Sequence, residues 1–274
     1  MLSNNKHYSR PGLEILRKIS SRPKRSQVTI FIIVGIIIVA AVVLVLLFSG
    51  KIDSPFSSKL NPQQYIEKCI KDSALEAVDI MLPQGGYLDP ILHKLYEDNK
   101  IAYLCYNMNF YLPCINQEPM YIQHLEDEVK SYVEPEIEKC FNKVKSDAES
   151  SGKSFNMGVM ELGIELGPGQ IEVDVKRDVQ IGSGESLESY KNFGEIVVSP
   201  IYDLGIVAQE IVSQEARFCN FEYLGYSLTY PKFSIEKDQV GTEDTLTDIY
   251  KIKDKISGKV LTIAIRSCAL PGGL

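Results

Sequence analysis

The chain has 274 residues, a net charge of −7 and no tryptophan, and its charge is divided unevenly. Residues 1–27 carry seven basic and one acidic side chain, whereas residues 28–274 carry 22 basic and 35 acidic ones. A protein that binds nucleic acid needs basic patches to contact phosphates. The acidic balance of residues 28–274 therefore excludes nucleic acid as an expected partner.

The first pattern along the chain is an apolar segment near the N-terminus. No charged residue occurs at the 25 positions between Arg25 and Lys51, and residues 28–48 are almost all Ile, Val, Leu, Phe and Ala. As a helix, that stretch spans about 31 Å, close to the hydrocarbon thickness of a bilayer. A cleaved secretory signal fits less well, because its apolar region has roughly 7–15 residues and the FSG that follows is unlike an A-x-A cleavage site. We therefore predict a retained transmembrane helix at residues 28–48.

The basic residues on one side of this segment predict its orientation. Positive charge close to a membrane span marks the cytoplasmic side. Residues 1–27 are therefore expected to be a basic cytoplasmic tail, and the acidic remainder is expected to lie outside the cytoplasm. The predicted location is the cell membrane, which residues 28–48 contact directly.

The junction before the apolar segment, KRSQVTIF at residues 24–31, resembles the class III, type IV pilin-like signal of archaeal surface proteins. In that family a membrane peptidase cuts on the cytoplasmic side and leaves the helix on the mature protein, which here implies a processing junction between Ser26 and Gln27. Ser26 stands where glycine is more usual. Phe31 stands where pilins commonly have a glutamate associated with subunit packing, and this departure favours an anchor over a filament core.

A second resemblance covers the start of the apolar segment and a later motif. The stretch QVTIFIIVGIII is similar to the opening of uncharacterised membrane-anchored proteins of small-genome archaea, some of which continue with a helix ending in QGGY, as at residues 84–87 here. This resemblance implies an anchor and no particular activity.

All six cysteines follow the apolar segment, which favours disulfides in an oxidising compartment. A metal site is the alternative, but the sequence has no C-x-x-C or H-x-x-x-H spacing. Six cysteines allow 15 sets of pairs. The pairs expected here are Cys69–Cys140, Cys105–Cys114 and Cys219–Cys268. The first pair is chosen because both residues fall on apolar helical faces.

Residues 61–148 are predicted to form a helix-rich part after a linker at residues 49–60. Asn61 and Pro62 are typical of a helix start, and apolar residues at helical spacing predict a helix over residues 62–82. Aromatic and apolar residues around an Asn-Met-Asn turn predict a hairpin at residues 100–115. A second helical region follows at residues 119–147, which Pro135 is expected to kink or divide.

Residues 152–274 are predicted to form a mixed part. Alternating apolar residues in GQIEVDVKRDVQIG and GEIVVSP predict strands, and residues 201–218 have helical periodicity. The stretch FEYLGYSLTYPKFSI, residues 221–235, is expected to be a strand. The final stretch TDIYKIKDKISGKVLTIAIRSC predicts a hairpin that turns at Ser257-Gly258. The expected fold class is an α+β extracytoplasmic domain on a single N-terminal transmembrane helix.

Residue patterns for catalysis are absent from the sequence. It has no H-E-x-x-H, G-x-x-x-x-G-K-[ST] or G-x-S-x-G motif, and no cofactor or metal is expected. The glycine-rich stretches GPGQ and GSGES are interpreted as turns. QGGY is interpreted as a helix stop, and neither His93 nor His124 has an adjacent nucleophile.

The acidic residues of the second helical region are expected to form a solvated helix face. They are Glu126, Asp127, Glu128, Glu134, Glu136 and Glu138. A pair of catalytic carboxylates is the alternative, which requires two acids that face each other across a substrate.

These observations leave three classes of function open. The first is a membrane-anchored surface protein with a non-catalytic structural, adhesion or complex-forming role, which includes protein partners or self-association at the cell surface. A type IV pilin-like filament subunit is a variant of it. The second is an extracytoplasmic enzyme, such as an envelope hydrolase, with a dispersed site. The third is a ligand-binding module. The first is preferred, and an enzyme is not expected.

Overall fold

The computed structural model describes residues 32–40, 61–109, 111–183, 186–242 and 245–268. The chain divides into two compact units, Met1–Ser58 and Lys59–Leu274. The expected helix-rich part and mixed part therefore belong to the same compact unit.

The first unit contains one described helix. This helix, α1, covers residues 32–40 within the apolar segment. Residues 28–31 and 41–48 of the predicted transmembrane helix lie outside the described residues, as do the basic tail, the linker and the processing junction Ser26–Gln27. Within the described ranges, none of the helices combines the length and the apolar composition needed to cross a membrane.

The second unit begins with the helix α2, Pro62–Met81. The Asn61 side chain accepts a hydrogen bond from the Gln63 N–H, and proline occupies the first turn, as the sequence predicted. One face of the helix is buried, and it includes Ile66 and Ile70. A 3-10 turn at Leu82–Gln84 follows the helix. The predicted helix over residues 62–82 is confirmed.

The second helical region is one continuous helix, α3, which spans Tyr121–Ser150 and contains Pro135. Pro135 lies on the exposed side of the helix. The opposite side is buried, and its apolar residues recur every four positions from Tyr121 to Phe141. These residues are Tyr121, Leu125, Val129, Val133, Ile137 and Phe141. The expected division of the helix at Pro135 is wrong.

Six of the described strands form the first sheet. They are β1 (His93–Tyr96), β2 (Asn99–Tyr106), β3 (Ile115–Asn116), β8 (Phe233–Val240), β9 (Thr247–Asp254) and β10 (Val260–Arg266). The order is β1-β2-β10-β9-β8, and β3 also pairs with β2. Pairing of β2 with β3 and of β9 with β10 confirms both predicted hairpins, while the short strand β1 was not predicted.

The second sheet is antiparallel around its long central strand. Its described strands are β4 (Ser154–Met157), β5 (Glu161–Gly167), β6 (Gln170–Ser183) and β7 (Ser186–Val198). Both β4 and β5 pair with one edge of β6, and β7 pairs with the other edge. Along β6 buried and exposed residues alternate, so that Val173 and Val175 face the core while Glu172 and Asp174 face solvent. This alternation confirms the predicted strand.

Two helices follow the second sheet along the chain and precede the last three strands of the first sheet. Helix α4 spans Ile201–Phe218, as predicted, and buries its apolar face. The prediction of a strand over residues 221–235 is wrong for its first part, because Tyr223–Thr229 forms helix α5. The Glu222 side chain accepts a hydrogen bond from the Gly225 N–H, which supports a helix start at this point. Strand β8 begins only at Phe233.

Together these elements form a mixed α+β fold, as the sequence predicted. The core is continuous across the unit: it includes Ile70 of α2, Phe141 of α3, Val173 of β6, Ile211 of α4 and Ile263 of β10. A smaller cluster on the other side of the first sheet contains Ile101, Tyr103, Ile249 and Ala264.

Three disulfides join all six cysteines, in the pairs expected from the sequence. Cys69–Cys140 joins α2 to α3, Cys105–Cys114 closes the hairpin loop between β2 and β3, and Cys219–Cys268 joins the end of α4 to the residues after β10. Their Cα–Cα distances are 6.5, 5.3 and 5.8 Å, within the usual range for a disulfide.

Removal of a disulfide is expected to destabilise the domain more when the loop that it closes is longer. Cys69–Cys140 spans 71 residues and Cys105–Cys114 spans nine. The chain-entropy model gives about 4 kcal/mol for the first and about 2.5 kcal/mol for the second. Paired Cys→Ser variants of the full chain, compared by denaturant unfolding, measure this difference. A larger loss for the Cys105→Ser, Cys114→Ser variant contradicts it.

Candidate functional site

The QGGY motif forms a tight turn against α3. Gly85 and Gly86 have positive φ angles of 75° and 83°, a conformation that favours glycine. The Gly86 N–H donates to the Met81 carbonyl, and the Tyr121 hydroxyl donates to the Gly85 carbonyl at 2.9 Å. A Cβ on Gly86 would lie 2.5 Å from both Tyr121 and Leu125. The motif therefore ends the preceding helical segment, as expected, and also lets the backbone pack against two side chains.

The residue after the glycines, Tyr87, borders a cavity of about 350 Å³. Its hydroxyl donates a hydrogen bond to Glu118 at 2.6 Å, and its ring packs 4.1 Å from the His124 ring. Burial, and then the hydrogen bond to Glu118, raise the pKa of Tyr87 well above its ordinary value. Tyr87 therefore stays protonated and acts as a hydrogen-bond donor rather than a base.

The other described residues around this cavity come from the loop before β1, from β2 and from α3 and the residues before it. The lining consists of Tyr87, Asp89, Pro90, Ile91, Leu92, Tyr103, Gln117, Glu118 and Glu128. This described lining contains two tyrosines and three carboxylates but no serine, cysteine, lysine or histidine. It therefore offers acceptors and aromatic surface, and no nucleophile paired with a base.

The acidic residues of α3 do not all behave as a solvated face. Glu126 accepts a hydrogen bond from the Leu166 N–H of β5, and Glu128 accepts one from the Leu88 N–H after the QGGY turn. Glu138 binds the guanidinium of Arg177 through both carboxylate oxygens, at 2.6 and 3.3 Å. The expectation of a purely solvated face is therefore wrong for these three residues, because each is a partner for a group on another element.

The remaining acids of that set fit the expectation. Asp127 and Glu134 are exposed, and Glu136 pairs with Lys139 of the same helix. No two acids of α3 line the same described cavity, since Glu128 alone reaches the one beside QGGY. The alternative of a catalytic carboxylate pair on α3 has no support in the described residues.

The described part of the chain contains two histidines, His93 and His124. His93 Nδ1 donates to the Pro90 carbonyl, with 2.9 Å between the two atoms. The ring of His124 lies between Tyr87 and Tyr121, and its Nε2 is buried without a hydrogen-bond partner among the described residues. Neither histidine contacts a nucleophile, and the described residues contain no group of three metal-ligating side chains.

The glycine-rich stretches have the geometry of turns where the structure describes them. GPGQ joins β5 to β6, with Gly169 at φ 73°, and the Gly169 carbonyl accepts a hydrogen bond from the Ser199 N–H. In GSGES, residues 184 and 185 lie outside the described part of the chain. The interpretation of GPGQ as a turn is confirmed.

A buried ionic cluster that the sequence did not reveal lies between α4 and the first sheet. Lys237 Nζ is 2.9 Å from Asp248 and 3.4 Å from Glu215, and both carboxylates are almost fully buried. The Tyr250 hydroxyl donates to Glu215, and Gln239 donates to Asp248. These residues come from three separate elements, so no local pattern could indicate the cluster.

Comparisons with known proteins give no match: no family model, no curated protein and no solved structure is similar to this chain.

Substitution of Gly86 by alanine is expected to destabilise the domain by about 2 kcal/mol or more, because it adds a steric clash to an unfavourable backbone conformation. Thermal or denaturant unfolding of the full chain measures the loss. Gly258→Ala is the matched control, since Gly258 has a φ of 75° but open space around its Cβ position. Equal losses for the two variants contradict a close approach at Gly86.

Substitution of Lys237 by methionine is expected to cost about 3–5 kcal/mol of unfolding free energy, because it leaves two buried carboxylates without their cation. Lys139→Met is the control: Lys139 is 70% exposed, and its ion pair is expected to contribute about 0–1 kcal/mol. Denaturant unfolding of both variants at neutral pH checks this prediction. A loss below about 1 kcal/mol for Lys237→Met overturns it.

Proposed function

We propose that this chain is a single-pass membrane-anchored surface protein, whose disulfide-bonded domain lies outside the cytoplasm and has a non-catalytic role in binding or complex formation. The observation that carries the proposal is the pairing of all six cysteines in three disulfides. Disulfides persist in oxidising spaces and are rare in the cytosol.

The anchor in this proposal is residues 28–48. Support comes from the 25 uncharged positions between Arg25 and Lys51 and from the seven basic residues that precede them. Their charge favours a cytoplasmic N-terminus. The disulfide-bonded unit would then be on the opposite side of the membrane from the basic tail, in agreement with the oxidising environment that its cysteines indicate.

A non-catalytic role is supported by the surface of the hairpin loop that Cys105–Cys114 closes. The chain has no charged residue from Ile101 to Gln117, although its composition is acidic overall. Met108 and Ile115 are 84% and 64% exposed, and Leu112 is also exposed. Exposed apolar patches of this kind are typical of surfaces that bind other proteins. They support a complex-forming role, either with a partner or by self-association.

A filament subunit is the second candidate, and the KRSQVTIF junction is the observation that favours it. This candidate requires removal of residues 1–26 and a mature chain that begins at Gln27. Intact-mass analysis of the protein from its own membrane distinguishes the two. A mass that begins at Met1 removes the pilin-like candidate, whereas a mass that begins at Gln27 in a sheared surface fraction supports it.

The anchor is tested by placing charge in the apolar segment. The full chain is expected to stay in the membrane pellet after alkaline carbonate extraction, and protease added outside intact cells is expected to digest residues 59–274. The Ile36→Arg, Val39→Arg variant is expected to move to the soluble fraction, because each arginine costs about 2.5–3.5 kcal/mol at the centre of a membrane helix. Ile91→Arg, at a position 98% exposed, is the matched control.

Two outcomes contradict the proposal. One is extraction of the unaltered chain by carbonate. The other is protection of residues 59–274 from external protease when a cytoplasmic marker is equally protected.

A further inference from the structure

The cavity beside the QGGY turn has the size of a ligand site and a wall that lacks positive charge. Its volume of about 350 Å³ lies within the range typical of small-molecule sites. The described lining contains three carboxylates but no lysine, arginine or histidine. One of the three, Asp89, is exposed and pairs with Lys100 at 2.7 Å. The other two, Glu118 and Glu128, have no ion-pair partner among the described residues.

These two carboxylates each have one oxygen that is hydrogen-bonded and one that is not. Glu118 Oε1 accepts a hydrogen bond from the Tyr87 hydroxyl at 2.6 Å, and Glu128 Oε2 accepts one from the Leu88 N–H at 2.7 Å. Glu118 Oε2 and Glu128 Oε1 accept no hydrogen bond from the described residues. Both side chains are half-buried, but neither of these two oxygens is buried. They are therefore accessible acceptors on residues that line the cavity.

Both carboxylates act on the hydroxyl of Tyr87. Burial raises the pKa of Tyr87, and so do the hydrogen bond from its hydroxyl to Glu118 and the negative charges of Glu118 and Glu128. The protonated hydroxyl is neutral, so it satisfies one oxygen of Glu118 without balancing either charge. The described part of the cavity wall therefore has two neighbouring negative charges and no cation.

The rest of the cavity wall is largely aromatic and apolar. Tyr87 and Tyr103 both line it, and the face of a tyrosine ring attracts cations. At the rim Ile91 is 98% exposed and Leu92 is 41% exposed. A ligand that suits this wall is a cation with several N–H donors on an aliphatic chain, because the chain can cover apolar surface that is left in water.

We propose that this cavity binds a guanidinium group on an aliphatic chain, as in arginine. The guanidinium donates to Glu118 Oε2 and Glu128 Oε1, and its chain packs against Ile91 and Leu92. A guanidinium has five N–H donors in one plane, so it can serve two separate carboxylates and still stack on a tyrosine ring. The inference rests on the binding role proposed above and names its chemistry, but it does not depend on the membrane anchor.

Other ligands fit the same cavity less well. The described residues form no group of three metal-ligating side chains, which disfavours a metal ion. An anion is repelled by the two glutamates. A primary ammonium has fewer donors than a guanidinium and is more strongly hydrated. A neutral urea has nearly the shape of a guanidinium but leaves both charges unbalanced. The expected order of affinity is therefore arginine, lysine, citrulline and glutamate, since citrulline carries the urea.

Titration calorimetry of the full chain in non-ionic detergent micelles tests this order, at a salt concentration of about 0.15 M that screens long-range attraction. The probes are the N-acetyl amides of arginine, lysine, citrulline and glutamate, and the heat of each into empty micelles is subtracted. Arginine is expected to bind about tenfold more tightly than citrulline, since charge-assisted hydrogen bonds replace neutral ones. It is expected to bind about threefold more tightly than lysine. Glutamate is expected to give no saturable binding.

A blocked Leu-Arg-Leu tripeptide distinguishes the two sources of a guanidinium, a protein side chain and a small molecule. Binding about tenfold tighter than that of the arginine amide supports a protein partner, because the flanking leucines also cover the exposed rim. Equal affinity supports a small guanidinium compound. The matched peptide Leu-citrulline-Leu is expected to bind about tenfold more weakly than Leu-Arg-Leu, which separates the guanidinium from the contribution of the leucines.

Three variants locate the binding. Glu118→Gln and Glu128→Gln are each expected to weaken the arginine amide about tenfold and the citrulline amide by less than about twofold. Glutamine keeps an acceptor for Tyr87 or for the Leu88 N–H but removes the charge. Glu134→Gln is the matched control, because it removes an exposed charge of α3 outside the lining, and it is expected to change neither affinity.

The proposal is overturned if the wild-type protein binds citrulline or lysine as tightly as arginine, or binds none of the probes. It is also overturned if Glu134→Gln weakens arginine as much as Glu118→Gln does, since the acidic domain as a whole then attracts the probe. Circular dichroism checks that the variants are folded. If Glu118→Gln is not, Glu128→Gln and the order of the probes on the wild-type protein decide the matter. Carbonate extraction does not depend on these residues, so failure of this proposal is distinct from failure of the anchor.

Discussion

The contact between Tyr121 and the glycines around it fixes how the helices of the domain are arranged. Its hydroxyl bonds to Gly85 after α2, its ring lies directly against Gly86, and Gly205 of α4 packs against Ile122 and Leu125 of α3. A side chain at Gly86 or at Gly205 would push α3 away from its neighbours. Because Gly86 and Gly205 have no side chain, α2, α3 and α4 can meet around the buried Tyr121. Both sheets then pack on the core that these helices form.

Carboxylates form many of the other polar contacts between helices and strands. Glu126 and Glu128 bind backbone N–H groups on other elements, and Glu138 binds Arg177, whose guanidinium also stacks 4.8 Å from the Phe141 ring. The cluster around Lys237 holds α4 against the first sheet. In a chain with excess acid, these contacts use negative side chains as acceptors for donors that would otherwise be unsatisfied.

Local periodicity in the sequence was enough to predict most of the regular elements. It also motivated the Cys69–Cys140 pair, because both residues fall on apolar helical faces, but no pattern in the sequence selected the other two pairs. The limits of α2 and α4 follow from apolar stripes and from the Asn61 start, and the β9–β10 hairpin follows from alternation on both sides of a glycine turn. The helix α5 was missed because it is short. Over so few residues, its tyrosines and leucines fit both the spacing of a helix and the alternation of a strand. The polar sites were missed for another reason: an exposed acid and an acid that binds a distant N–H look identical in one sequence, since the partner is many residues away.

The disulfides also determine which part of the chain would lengthen under mechanical load. Cys69–Cys140 and Cys219–Cys268 each join the ends of a loop, so tension applied between the two ends of the domain bypasses both loops. Among the described residues of the domain, the short stretch 61–68 at the start of α2 remains in the load path without a covalent bypass. The much longer stretch without one is residues 141–218, which hold the second sheet and α4. That stretch would extend to about 260 Å at roughly 3.3 Å per residue. In a protein held at its N-terminal end and pulled at its other end, the second sheet and α4 are therefore the extensible element, while the two disulfide-closed regions stay compact.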